Sequence, residues 1–180
     1  MIASLLSRVL VFALVLTALS GCGPARNEFA PACPSPIFPK DTADIAVYRP
    51  NSGGRDLTDL MFAGRMMKIS GECKLGSDKG TLRTTVTFVV EVSRGPALPG
   101  ASVEAPVYLA VVAGDRILDK RIFALRGQFP SNVDRLMLSS GELDMALPVS
   151  SARSGAAYYV VAGFQLTPEQ LAAARARSAR

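Results

Sequence analysis

The segment Thr81-Leu82-Arg83-Thr84-Thr85-Val86-Thr87-Phe88-Val89-Val90-Glu91-Val92-Ser93 decides the fold. Val86, Phe88, Val90 and Val92 recur at every second position, while Thr85, Thr87, Glu91 and Ser93 mostly occupy the places between them. Successive side chains of an extended chain point to opposite faces, so this alternation predicts a strand with one face in a core and one in water. A helix would instead need its apolar residues three and four apart.

The same reading extends outward in both directions. Apolar alternation and β-branched residues, bounded by Gly, Pro, Asn and Asp clusters, predict seven strands. These are Ile45 to Tyr48, Met61 to Leu75, Thr81 to Ser93, Pro106 to Ala113, Ile117 to Arg126, Val133 to Leu147 and Ala157 to Leu166. Val107 to Val112 is apolar on both faces and reads as a central strand, joined by the tight turn Ala113-Gly114-Asp115-Arg116 to its successor as a hairpin. In the last strand Tyr158, Val160, Ala162, Phe164 and Leu166 fall on one side. The run Gly76-Ser77-Asp78-Lys79-Gly80 lacks the spacing of a phosphate loop and lies between strands, so it reads as a hairpin turn. Together these signals predict an all-β antiparallel sandwich of immunoglobulin or fibronectin type, about seven strands with a short C-terminal helix. A small closed barrel is the alternative.

The helix signature is Thr167-Pro168-Glu169-Gln170: an N-cap threonine, a proline at the first helical position and a glutamine that completes a capping box. Leu171 to Ala176 continue it, and Arg175, Arg177 and Arg180 complement the negative end of the helix dipole. A solvated tail and a contact with lipid phosphates are both open for these arginines.

The N-terminus supplies an address. Arg8, the apolar run Val9 to Leu16 and then Leu19-Ser20-Gly21-Cys22 form a lipoprotein signal peptide with a lipobox, and the run is too short to span a bilayer comfortably. Residues 1–21 are therefore expected to be removed and Cys22 lipidated, anchoring the chain to a membrane. Gly23 lacks the aspartate that signals inner-membrane retention, so the expected place is the bacterial cell envelope, at the outer membrane facing the periplasm. Residues 22–40, with Pro24, Pro31, Pro34, Pro36 and Pro39, read as a proline-rich tether, residues 41–176 as the sandwich and residues 177–180 as a basic tail. Loss of Arg8 lowers the formal charge from +5 to +4, a mildly basic balance that suits either a solubilising surface or anionic lipids and glycans.

With Cys22 assigned to lipid, Cys33 and Cys73 remain for an oxidising compartment, where a disulfide is the expected state. The loop of about forty residues it closes is worth on the order of 3 to 4 kcal/mol.

Chemistry is harder to find. The chain holds no histidine, which excludes Ser-His and Cys-His mechanisms, and it has neither a Gly-x-Ser-x-Gly nor a Ser-x-x-Lys pattern. The acidic pairs Asp41 with Asp44, Asp56 with Asp59 and Asp115 with Asp119 lack the ligand number and spacing of a calcium loop and read as turns or caps. No metal, cofactor or nucleic-acid partner is expected. One loop is more particular: Arg49-Pro50-Asn51-Ser52-Gly53-Gly54-Arg55-Asp56-Leu57-Thr58-Asp59-Leu60, a candidate partner-binding loop through Arg49, Asn51, Arg55, Asp56 and Asp59. A plain turn in which Arg55 pairs with Asp56 or Asp59 is the competing reading.

The lipobox, Cys33, Arg55-Asp56-Leu57-Thr58-Asp59, Cys73 and the closing Gly163-Phe164-Gln165-Leu166-Thr167-Pro168-Glu169-Gln170-Leu171 together resemble a group of uncharacterised proteobacterial envelope lipoproteins. That resemblance implies an envelope location and carries no activity. The expected function is a non-enzymatic protein-binding or assembly module with an envelope protein partner. Two alternatives stand beside it: a carrier of an apolar ligand such as lipid, motivated by Val107 to Val112, and a histidine-free glycan hydrolase using two carboxylates.

Overall fold

Nine strands follow one another in the computed structural model, which describes residues 32–50 and 56–178. They are β1 (Ser35–Ile37), β2 (Asp44–Tyr48), β3 (Leu60–Leu75), β4 (Thr81–Arg94), β5 (Ser102–Ala113), β6 (Arg116–Gln128), β7 (Arg135–Ser139), β8 (Leu143–Pro148) and β9 (Tyr158–Phe164), and helix α1 (Pro168–Ser178) closes the chain. The front sheet has the order β1-β9-β5-β6; the back sheet has the order β2-β3-β4-β7, with β8 also on β4. The architecture is an antiparallel-rich β-sandwich, as its alternation predicts, and not a closed barrel.

β4 pairs antiparallel with β7 and β8, and β5 pairs antiparallel with β9 and β6. The links β4–β5, β6–β7 and β8–β9 each cross between sheets, the pattern of the central strands of an immunoglobulin-type sandwich. The core lies between the sheets. Phe88, Val90 and Val92 of β4, Val107 of β5, and Tyr158, Val160 and Phe164 of β9 are almost wholly buried, each contributing about 1.5–3 kcal/mol.

Three details differ from the pattern read in the sequence. First, within the stretch read as a proline-rich tether, residues 22–40, Ser35–Ile37 forms β1 and pairs in parallel with β9. Pro36 is tolerated there because an edge strand leaves one row of donors unused; residues 22–31 lie outside the described residues. Second, Val133 to Leu147 is two strands laid end to end along β4, broken at Ser140-Gly141-Glu142, where Gly141 takes φ +68°. The Phe88 N–H, which would otherwise face the break, donates to Ser140 Oγ at 3.0 Å. Third, β5 starts at Ser102, upstream of Pro106. The missing N–H of Pro106 does no harm because β9 ends opposite Val107, and the Pro106 carbonyl accepts from the Gln165 N–H at 2.9 Å beyond that end.

The capping box forms as predicted: Thr167 N–H donates to Gln170 Oε1 at 2.9 Å and Gln170 N–H donates to Thr167 Oγ1 at 3.3 Å. Gln170 Nε2 also donates to the Ala46 carbonyl at 3.3 Å, closing part of the free edge of β2. Arg177, placed by the sequence in the tail, belongs to α1. Arg175 reaches Asp41 at 3.3 Å, and Arg180 lies outside the described residues.

Candidate functional site

The register of the front sheet sets its outward face. Ile37 lies beside Val161, Val161 beside Ala110 and Ala110 beside Lys120; the neighbouring rows are Tyr159–Val112–Ile117 and Gly163–Tyr108–Ile122. Because β5 is apolar at both parities, its inner row (Val107, Leu109, Val111) enters the core while its outer row (Tyr108, Ala110, Val112) faces away from it. Ile37, Tyr159 and Ile122 are 38, 40 and 58 % exposed, while Tyr108, Val112 and Val161 are half-buried and Ala110 is buried, so this face is a partly open apolar surface. Contiguous exposed apolar surface rimmed by polar groups is characteristic of interaction sites.

Tyr108 is fixed at the centre of that surface. Its hydroxyl and Thr42 Oγ1 are 2.9 Å apart, and Lys120 Nζ sits 4.7 Å over its ring, a cation–π contact. Gly163 makes this possible, since a β-carbon there would collide with both Thr42 and the Tyr108 ring. A pre-positioned aromatic loses little freedom when it binds. Beside it β6 is the terminal strand of the sheet, and its outer row of backbone groups suits strand addition. Arg116, Asp119, Lys120 and Arg121 along it discourage indiscriminate pairing.

The outward face of the back sheet is mostly ionic, with Met137 exposed beside Glu91. Asp44, Arg65 and Glu91 share one row, with Arg65 Nε 2.7 Å from Asp44 Oδ1 and Arg135 Nη1 3.8 Å from Glu91 Oε1. Asp44, by hydrogen bond and then by charge, raises the pKa of Arg65 further. Glu72, Thr85 and Asp144 form another row, beside Lys74 and Arg83. These residues and Arg121 line a half-open depression of about 510 Å³. Its carboxylates are partnered: Lys74 Nζ is 3.1 Å from Glu72 Oε1, and Thr85 Oγ1 donates to Asp144 Oδ1 at 2.7 Å. Among the described residues no three Cys, Asp or Glu side chains gather as a metal site.

The residues singled out in the sequence fall as follows. Cys33 and Cys73 form a disulfide with 5.7 Å between their Cα atoms, joining the segment before β1 to β3. Cys22 lies outside the described residues. In the loop, Arg49 N–H donates to the Asp59 carbonyl at 2.8 Å, and their side chains approach to 3.9 Å. Asp56 opens a 3-10 turn, its carbonyl accepting from Asp59 N–H at 3.1 Å. Asn51 and Arg55 lie outside the described residues, so the pairing of Arg55 does too. In the Gly76–Gly80 turn, Asp78 accepts from the Thr81 hydroxyl and from the N–H groups of Gly80 and Thr81; the hydroxyl bond is the main reason its carboxyl is held below the usual range.

No catalytic or ligand-binding motif marks the apolar face in the sequence. Its signal was the double-faced pattern of Val107 to Val112, which shows a strand without a wet side but not what faces its second side. Comparison with protein families, with curated proteins and with solved structures finds no match for this chain.

Proposed function

We propose that this chain is a lipid-anchored envelope lipoprotein that binds a protein partner through the outward face of its front sheet, without catalysis of its own. The observation that carries this reading is the apolar face in which Ile37, Ile122 and Tyr159 are exposed and Tyr108 and Val161 half-buried, beside the free edge of β6. Lipidation at Cys22 holds the module at the outer membrane on its periplasmic side, where an assembly partner adds to the edge or covers the face. The Arg49–Asp59 loop, with Asn51, Arg55 and Asp56, contributes a secondary contact. The carrier reading has less support: the depression of about 510 Å³ is half open and lined by Glu72, Lys74, Arg83, Arg121 and Asp144, whereas sites for apolar ligands are lined mainly by apolar side chains.

Crosslinked pull-down of the full lipidated protein from its own envelope tests the proposal. A reproducible partner, lost in Cys22→Ala and in Ile122→Asp, is the expected result. Equal recovery of the same proteins by the wild type and Ile122→Asp would sink it.

A further inference from the structure

Three turns and the tether meet at one end of the sandwich. Cys33 is bonded to Cys73 near the end of β3, and Ser35 of β1 pairs with Tyr159 at the start of β9. Tyr158 pairs with Ala113, which pairs with Arg116 across the β5–β6 turn. Leu82, just past the Gly76–Gly80 turn, pairs with Leu75 and Leu147, and the Val149 N–H donates to the Gly80 carbonyl at 2.8 Å. The connection from Ser150 to Gly155 completes the group, Ser150 bridging to Arg153.

We infer that this end rests directly on an anionic lipid bilayer, with the β5–β6 tip dipping into the headgroups. The inference rests on the lipoprotein reading and adds an orientation to it. Ile117 and Leu118, immediately after the turn, are 64 and 46 % exposed. Arg116, Lys79 and Arg153 occupy the same three turns, together with Asp78 and Asp115. At the opposite end the charges are mixed: Asp56, Asp59, Asp134 and Glu169 lie in or beside its connections together with Arg49, Arg94 and Arg135. An anionic surface attracts the basic side chains of the first end. Tether length favours the same end. Cys22 precedes Cys33 by eleven positions, at most about 40 Å of fully extended chain. The twelve-residue β5 is itself about 40 Å long. An inverted sandwich would therefore stretch the tether to its limit, whereas the disulfide end is reached with slack.

The chain contains no tryptophan, so a single introduced one reports its own surroundings. Full lipidated protein carrying Leu118→Trp, in vesicles of phosphatidylcholine with phosphatidylglycerol and brominated acyl chains, should show blue-shifted, quenched emission. Leu57→Trp at the opposite end, where Leu57 is 74 % exposed, should stay solvent-like and unquenched. Arg116→Glu or Arg153→Glu in the Leu118→Trp background should weaken docking about fivefold per charge removed. Equal emission and quenching of the two reporters in lipidated protein overturns the docked orientation alone. A mass spectrum without lipid on Cys22 overturns both the orientation and the proposed function.

Discussion

Outward from the back sheet point Asp44, Arg65, Glu91 and Arg135, in close ion pairs; outward from the front sheet point Ile37, Val161, Tyr108 and Ile122. The two sheets share one core and the same strand chemistry on their inner sides, so folding alone does not require the contrast. Exposed ion pairs contribute only about 0–1 kcal/mol each, which marks the back face as a solubilising surface. The front face leaves large side chains in water, a cost that association removes.

The largest test concerns the link between the sheets. Replacing Cys33 and Cys73 together by serine should cost about 4 kcal/mol and lower Tm by roughly 8–15 °C in a thermal melt. It should also release β1, and Ile37 with it, from the front face. Next comes a matched pair of charges. Ile122→Asp on the front face should reduce partner capture at least about tenfold, near 1.4 kcal/mol. Met137→Asp on the back face, where Met137 is 57 % exposed, should leave capture unchanged, and equal losses would erase the distinction between the faces. Calorimetry should find either change within about 0.5 kcal/mol of wild-type stability.

Smaller effects sharpen the comparison inside the sandwich. Thr84 is a buried polar side chain on the inner side of the back sheet, and its hydroxyl has no hydrogen-bond partner. Thr84→Val should therefore stabilise the fold by about 1 kcal/mol in chemical denaturation. Thr167→Ala should cost about 1 kcal/mol by removing one half of the capping box, and hydrogen exchange should rise at β2, whose edge Gln170 covers. The smallest effect is one of pH. Folding lowers the pKa of Asp78, so its contribution is present above about pH 4 and is lost as pH falls through the folded value. Asp78→Asn should flatten that acid limb of the stability profile and leave neutral behaviour nearly unchanged.

Much of this was legible in the sequence where one physical rule governed a segment. β4 alternates cleanly because one side is core and the other water, and the capping box of α1 is local chemistry. β3 was legible as a strand but not as a face. An irregularity between Met66 and Lys68 inserts one residue, so Phe62, Gly64 and Met66 face inward before it, and Ile69, Gly71 and Cys73 after it. β1 escaped because prolines at an edge strand resemble prolines in a linker. The candidate site escaped for a different reason: Ile37, Tyr108, Ile122 and Tyr159 come from four strands, and only the register of the folded sheet places them side by side.

The disulfide also decides how the domain bears a load. Tension applied through the chain preceding residue 33 reaches the Cys33–Cys73 bond before it reaches the hydrogen bonds of β1, and passes directly into β3 between β2 and β4. A three-residue strand would peel from its sheet under modest force. Here the pull is taken by a covalent bond into β3, the longest strand among the described residues, so β1 and the surface it completes stay in place.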